Sequence, residues 1–542
     1  MSRGKKFVAL TLMTFVVIVV LGAIWGHKGG DPTGTASTAA NSYTNVFQGG
    51  VQAGIPVSQV GINQLATSTG GAGLSVNFVW VLITGFLVLF MQVGFAFLVT
   101  GLTRAKNAAH MMMMNIAAFA VALLAYYAVG FAFMFGGLQV LSLGGTSPLS
   151  GMFHIASKTN GGIIGTHGFL LQSHGSYDVG VMVLFLFEVV FMETAGYIIV
   201  GAIAERISFA GFLLAEVCMG AIIYPIYGQW MWGGGWLAHL GTGPLSLGHG
   251  AVDFAGSGVV HATGGWAALA LAMVLGPRIG KFNKDGSANA IPGHNIPFVV
   301  VGTLILVFGW MGFNPGSTLS AIDNRIGVVA VNTLLAACAG FVLAMIITDT
   351  KYGKPDISMS CNGMLAGLVA ITAPCAFVAP WAAVVIGMVA GILVVYSVEM
   401  FDKLGIDDPC GAISVHGMNG AWGVLSVGLF ADGTYGAGWN GVNGTVKGLF
   451  YGDGGQLVAQ LFHVVVGFVW AWGITWLIFT IAKNFMKIRV SEEAELEGLD
   501  MPEFGVLAYP DFVMHHAAAG HVTTDAEETP NGSPRTVDLE RS

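Results

Sequence analysis

Two frames in the most apolar parts of the chain each set a histidine eight residues after an aspartate. One is Asp253-Phe-Ala-Gly-Ser-Gly-Val-Val-His261, followed by Gly264, Gly265 and Trp266; the other is Asp408-Pro-Cys-Gly-Ala-Ile-Ser-Val-His416, followed by Asn419, Gly420 and Trp422. An imidazole in hydrocarbon is costly and by default marks a conduction path or binding site. Val259, Val260 and Ala262 flank one ring, and Val415 and Gly417 the other. Both rings would be desolvated, which favours neutral imidazoles that share a proton or take one from a substrate. Core histidines satisfied by main-chain carbonyls are one competing reading. A metal site is another, but no third ligand stands at helical spacing, so no metal is expected. Asp253 and Asp408 each open a helix, where a carboxylate accepts backbone N–H bonds and meets the positive end of the dipole. Capping alone accounts for both; the added role would be an anion at a pore mouth that holds or steers a cation. Two matching frames point to a duplicated fold whose histidines meet at the repeat interface, where transporters bind substrate.

The elements that carry these residues must lie in a membrane. Of 542 residues, 54% are hydrophobic and only 9% charged, against about 25% charged in a soluble domain. The 80 glycines suit helices that pack closely in lipid, where small residues let backbones approach. No basic patch lies outside short loops, so nucleic acid is not an expected partner. Cys218, Cys338, Cys361, Cys375 and Cys410 are scattered without CxxC spacing; they read as buried thiols, and neither a disulfide framework nor a cofactor is expected.

Apolar runs of spanning length, about 20 residues, fall near 76–99, 112–137, 178–203, 209–230, 255–276, 295–315, 326–349, 360–379, 381–401, 412–430 and 457–482. The predicted fold class is therefore an all-α polytopic membrane protein with eleven core transmembrane helices. Residues 1–26 read as a signal peptide or an N-terminal anchor, and 27–75 as an external linker. The membrane domain spans 76–482, a charged cytoplasmic tail 483–510, and a disordered tail 511–542. Loops on one side hold twelve lysines and arginines, among them Arg104, Lys106, Arg206 and Arg278, against Lys28, Lys158, Arg325 and Lys447 on the other. The positive-inside rule then puts the C-terminus in the cytoplasm of a plasma or inner membrane. Asp253 opens an inward span and Asp408 an outward one, so spans 1–5 and 6–10 form an inverted repeat around a pore.

These residues carry a resemblance to the ammonium transporter family (Amt/Mep/Rh). The frame ending at His261 resembles its signature. So do Gly201-Ala-Ile-Ala-Glu-Arg206, Trp232-Gly-Gly-Gly235, Trp310-Met-Gly-Phe-Asn-Pro-Gly-Ser317 and Asp407-Asp-Pro-Cys410, all in order between about residues 76 and 510. Trp232 favours the Amt/Mep branch, since Rh proteins generally lack it, and the resemblance is to the prokaryotic type. The resemblance implies a transporter or ammonia channel, not an enzyme, built as a homotrimer with one pore per subunit. Trp232 would offer a π face to ammonium, Ser317 a hydroxyl, and Asp253 negative potential from behind. Phe191 and Phe313 match a stacked gate, beyond which His261 and His416 would line a hydrophobic pore. Ammonium would lose a proton near the gate, and ammonia would pass.

Some positions depart from the pattern. Glu188 stands where glutamine is common, one helical turn before Phe191, and reads either as packing or as part of a proton path; Glu193 and Glu216 add two more carboxyls within spans. Gly411 replaces a frequent acid, and Phe504 a histidine common in the tail. The stretch from Glu492 to Tyr509 resembles the tail that docks under the pore and, in bacterial relatives, meets a PII-type regulatory protein. An ammonium sensor signalling through this tail is the alternative function, although nothing kinase-like or cyclase-like follows residue 510. An intramembrane enzyme would need a nucleophile or metal set beside the histidines.

Overall fold

The computed structural model describes residues 62–510 apart from 145, 147, 155–160, 243–244, 324 and 438–443. Segment 1–26, most of 27–75 and the tail 511–542 lie outside the described residues. The described chain is overwhelmingly helical. Its long elements are α1 (Ile62–Leu102), α2 (Ala105–Phe135), α3 (Val179–Ile203), α4 (Phe209–Met231), α5 (Ser257–Leu275) and α6 (Ile296–Gly316). They continue as α7 (Arg325–Tyr352), α8 (Ile357–Thr372), α9 (Pro380–Lys403), α10 (Ile413–Met418 running on as Asn419–Phe430) and α11 (Gly454–Ala482). Two small antiparallel hairpins, β1 (Met152–Phe153) with β2 (Ile164–Gly165) and β3 (Asp432–Ala437) with β4 (Thr445–Lys447), sit in the connections.

Among the described residues nine helices are long and apolar enough to cross a membrane. The runs expected at 360–379 and 412–430 are helical too, but α8 has only 16 residues and α10 carries His416, Asn419 and several glycines. Helix α1 starts at Ile62, inside the stretch read as linker. Side-chain caps start the helices: Asp178 accepts from Gly180 and Val181 before α3, Asn295 from Phe298 before α6, Asp356 from Met359 before α8 and Asp453 from Gln456 before α11. Each satisfies backbone donors that would otherwise be stranded at the helix start.

Polarity runs opposite to that of a soluble bundle. Val76, Val79, Ile83, Phe86, Phe90 and Val93 form an exposed apolar stripe on α1, whereas Glu188, Glu193, Glu216, Asp253 and His261 are buried. In lipid, polar groups must be satisfied inside the protein. With no hydrophobic drive between helices, glycine sets the crossings. Where α1 meets α6 the contact is reciprocal: a Cβ on Gly94 would lie 3.0 Å from the Gly302 carbonyl, and one on Gly302 2.6 Å from the Gly94 carbonyl. Where α5 meets α10, a Cβ on Gly265 would lie 2.2 Å from the Gly417 nitrogen, and one on Gly420 2.4 Å from the Ser257 carbonyl. Within the spans the backbone widens into π-turns at Tyr126–Gly130, Met219–Ile223, Ser257–Ala262 and Ile413–Met418. Such turns insert a residue into the helix and frequently mark functional sites. The last two contain His261 and His416.

Candidate functional site

Helices α5 and α10 deliver the two histidines to one point at the centre of the bundle. Nδ1 of His416 lies 3.3 Å from Nδ1 of His261, and the rings stack with centroids 5.3 Å apart. Both rings are buried. An Nδ1–Nδ1 hydrogen bond constrains the tautomers. One neutral ring donates from Nδ1 and keeps a bare Nε2; its partner accepts at Nδ1 and carries its proton on Nε2. The pair thus offers one acceptor and one donor to a small molecule passing along it. Nε2 of His261 has no protein partner.

Aromatic rings extend this pair into a column. His261 stacks on Trp310 at 5.0 Å and on Phe313 at 5.4 Å. Phe313 stacks face to face on Phe191, with centroids 4.0 Å apart, and Trp232 packs edge-on to Phe191 at 6.2 Å. The two phenylalanines therefore stand between Trp232 and the histidines. Ser317 lies one turn beyond Phe313, to whose carbonyl its hydroxyl donates at 2.8 Å. The indole N–H of Trp232 donates to the main-chain carbonyl of Asp253 at 2.7 Å, which puts Asp253 behind the tryptophan.

The Asp253 carboxylate is a cap. Oδ1 accepts from Gly256 and Ser257 at 2.8 and 3.0 Å, and Oδ2 from Gly258 and Val259 at 2.8 and 2.9 Å. Four N–H donors occupy its lone pairs, so any influence on a cation would be through its field rather than as a direct ligand. Asp408 does the same for α10 with two bonds, from Ala412 at 3.0 Å and Ile413 at 2.7 Å. Glu188, one turn before Phe191, is buried away from the lipid-facing surface, and its Oε2 lacks a protein partner. Among the described residues no three His, Cys, Asp or Glu side chains converge to hold a metal.

A support not anticipated from sequence comes from α11. Gln456, Gln460 and His463 stand at i, i+4 and i+7, one face of the helix. Gln456 accepts from His249 at 2.9 Å, and Gln460 brackets Val252 with bonds of 2.7 and 2.6 Å. Nε2 of His463 lies 3.7 Å from Oδ2 of Asp253. Three polar residues at that spacing in an apolar span were the available signal. Trp310 was visible only as part of a motif; its N–H donates to Thr372 at 3.0 Å, which fixes the ring under His261.

The basic face is held by a buried ion network. Arg278 grips Asp407 with Nε and Nη2 at 2.9 and 3.0 Å and reaches Glu205 at 3.0 Å; Arg104 meets Glu205 at 2.6 Å. Burial pushes the Asp407 and Glu205 carboxyls up, but these guanidinium bonds outweigh it and hold both below the usual carboxylate range. The tail packs on the same face. Asp500 accepts from Ala109 and His110 near the start of α2, Glu503 from Phe209 at the start of α4, and Glu495 from Ile279 after α5. Lys106 donates to the Glu495 carbonyl at 2.9 Å. Docking therefore runs largely through tail carboxylates on helix-end N–H groups, because Arg104 and Arg206 are already engaged by Glu205 and by main-chain carbonyls.

Apolar helices around a narrow aromatic column with a polar pair at its centre are the build of a multi-pass membrane channel or transporter. The chain belongs to the Ammonium Transporter Family, whose profile matches residues 79–509. It is 51% identical over 441 residues to the ammonium transporter Amt2 of Archaeoglobus fulgidus, covering 81% of this chain and 89% of that one. Identity to the ammonium transporter Amt1 of Haloferax mediterranei is 37% over 450 residues, covering 81% and 80%. Among solved structures, one described as a sensor Amt protein superposes with a TM-score of 0.69 at 36% identity, covering 80% of this chain and 99% of that one. Mep2 of Candida albicans superposes with a TM-score of 0.65 at 28% identity, covering 80% and 90%. The relatives lie on the Amt/Mep branch that Trp232 indicated, two of them archaeal.

Proposed function

We propose that this protein is an ammonium transporter that recruits ammonium at its outer mouth, removes a proton at the gate and conducts ammonia past the twin histidines. The observation that carries this reading is the buried Nδ1–Nδ1 pair at 3.3 Å within an otherwise apolar column. Trp232 supplies the recruiting π face, a cation–π contact of about 0.5–2 kcal/mol. Ser317 adds a hydroxyl acceptor, and Asp253 biases the mouth negative. An ammonium ion cannot keep its hydration through the Phe191–Phe313 stack, and a bare cation in the apolar column is expensive. Losing a proton removes that cost. The ammonia left behind can accept from one imidazole N–H and donate to the other ring's bare nitrogen. Potassium, of similar size, has no proton to lose and no N–H to donate.

The finer architecture belongs to the same reading. Eleven spans, with 1–5 and 6–10 as an inverted repeat, fit the reciprocal glycine crossings and the paired caps Asp253 and Asp408. The bias of lysine and arginine puts the tail in the cytoplasm and the protein in a plasma or inner membrane. The exposed apolar stripes suit a homotrimer, and the tail is the surface for a PII-type partner. Purified protein in liposomes should take up labelled methylammonium, a substrate analogue. His261→Ala or His416→Ala should abolish that uptake or open a leak to other monovalent cations; unchanged selective uptake in both variants would refute the pore assignment.

A second reading, an ammonium sensor signalling through the tail, draws on the 36% identity to a protein described as a sensor and on the tail docked beneath α2 and α4. A wild-type protein that binds ammonium but takes up none would favour it.

A further inference from the structure

Glu193 and Glu216 have no part in the pore as described, yet they are among the most enclosed acids in the chain. Their exposures are 2% and 0%, and that of Tyr197 is 3%. Glu193, Gly196 and Tyr197 share one face of α3 by their i, i+3, i+4 spacing. Glu216 reaches onto that face from α4: its Oε2 lies 2.4 Å from where a Cβ on Gly196 would stand, so only glycine admits the carboxyl there. Neither oxygen of Glu216 has a hydrogen-bond partner, nor has Oε1 of Glu193 or the Tyr197 hydroxyl. Tyr197 lies within electrostatic reach of both carboxyls.

Among the described residues no base neutralises this cluster. The buried bases Arg206, Arg278 and Lys281 sit in the connections of the basic face. Of the elements packed against α3, α1 carries no titratable residue and α5 only His261. Helices α2 and α4 otherwise contribute Lys106, His110, Tyr126, Tyr127, Cys218, Tyr224 and Tyr227, and α3 itself adds Glu188. Lys106 is committed to tail carbonyls. Two neighbouring carboxylates in a low-dielectric interior cannot both be charged, so the pair must hold a proton. One aromatic ring, Phe95, separates the cluster from the pore histidines. The Tyr197 ring lies 5.5 Å from Phe95, and Phe95 lies 6.4 Å from His416.

We propose that Glu193, Glu216 and Tyr197 form an internal proton site beside the pore, which takes the proton that ammonium releases and returns it on the far side. The inference rests on the ammonium-transport reading and deepens it. An N–H bond of ammonium breaks and its electron pair stays on nitrogen as the lone pair of ammonia; the proton forms an O–H bond at the C=O oxygen of one carboxyl while the O–H proton already held by the pair is passed on. Release of that proton to water beyond the basic face restores the pair. Ammonia and proton then travel by separate routes, and each turnover moves one net charge. Tyr197 is a positioning residue: its hydroxyl, without a partner in this structure, lies within electrostatic reach of both carboxyls and would orient them as the proton moves.

The test measures ammonium-evoked current and labelled methylammonium uptake on the same proteoliposomes, with the full chain. In the double variant Glu193→Gln/Glu216→Gln the current per methylammonium taken up should be lost, and in Tyr197→Phe it should fall. An unchanged ratio and pH profile in the double variant would overturn the proposal. Infrared difference spectra on adding ammonium to the wild type should show a protonated-carboxyl band that is missing in Glu216→Gln. A wild type without such a band would also overturn it, and this measurement decides where a variant fails to fold or to transport at all. A wild type that takes up no methylammonium would instead refute the transport reading.

Discussion

Trp232 is held by a bond that has nothing to do with its proposed ligand: its N–H is spent on the Asp253 carbonyl at 2.7 Å, which leaves the ring face as its means of recruitment. Trp232→Leu keeps an apolar surface and removes the quadrupole. Apparent affinity at low ammonium should weaken roughly three- to thirty-fold, the range that 0.5–2 kcal/mol converts to. Saturating uptake should change little, and a titration of initial uptake rate separates the two regimes. Glu188 poses a different question. It has an unpartnered oxygen one turn before the stacked ring Phe191, where glutamine would serve if shape were all that mattered. Glu188→Gln keeps the volume and removes the titratable proton. If Glu188 moves protons, the variant folds normally but its ammonium-evoked current acquires a different pH dependence. An identical current at every pH makes Glu188 a packing residue.

At the scale of elements, the twin-histidine geometry depends on how closely α5 and α10 cross. A Cβ on Gly265 would sit 2.2 Å from the backbone nitrogen of Gly417, next to His416, and backbone cannot swing aside as a side chain can. Gly265→Val should therefore push the histidines apart. It should cost about 1–3 kcal/mol of stability as an overpacking change and abolish selective uptake, checked by thermal unfolding in detergent beside the transport assay. The Asp407–Arg278–Glu205 network makes a pH prediction. Carboxyls held below their ordinary range stabilise the fold fully above the unfolded value, about pH 4. That stability is lost as pH falls from there through the folded values. The unfolding midpoint should drop on acidification below about pH 4. Asp407→Asn, which leaves buried Arg278 to share Glu205 with Arg104, should cost up to about 3 kcal/mol at neutral pH. Much of this scale was legible in sequence, because spanning runs and capping aspartates are local signals. The π-turns that carry the histidines were not, since nothing in Ser257–Ala262 or Ile413–Met418 distinguishes a π-turn from an α-turn by composition. Tyr197 beside Phe95, and His463 behind Asp253, were equally hidden, because each pairs residues from helices whose crossing no local pattern encodes.

For the whole molecule, sequence order had already implied a membrane bundle with two related halves, because the aspartate–histidine frames repeat across it. What it left open was how the tail meets that bundle. Arg104 and Arg278 are engaged by Glu205 and Asp407, and the tail acids cap helix ends instead. Asp500 at the start of α2, Glu503 at the start of α4 and Glu495 after α5 reach three separate places on that face. A segment so placed can couple their positions, and with them the lower ends of the pore helices. Deleting residues 490–542 removes all three. Each capping contact is worth about 0.5–2 kcal/mol, too little to unfold a bundle but enough to release helix ends. The truncated protein should still assemble as a trimer by size-exclusion chromatography with light scattering, while its ammonium uptake falls and any response to a PII-type protein disappears. Wild-type uptake together with an intact response to the PII-type protein would remove the regulatory role and leave the tail as packing. Asp500→Ala in the full chain isolates the cap on α2, and should reproduce part of the loss if coupling runs through that helix.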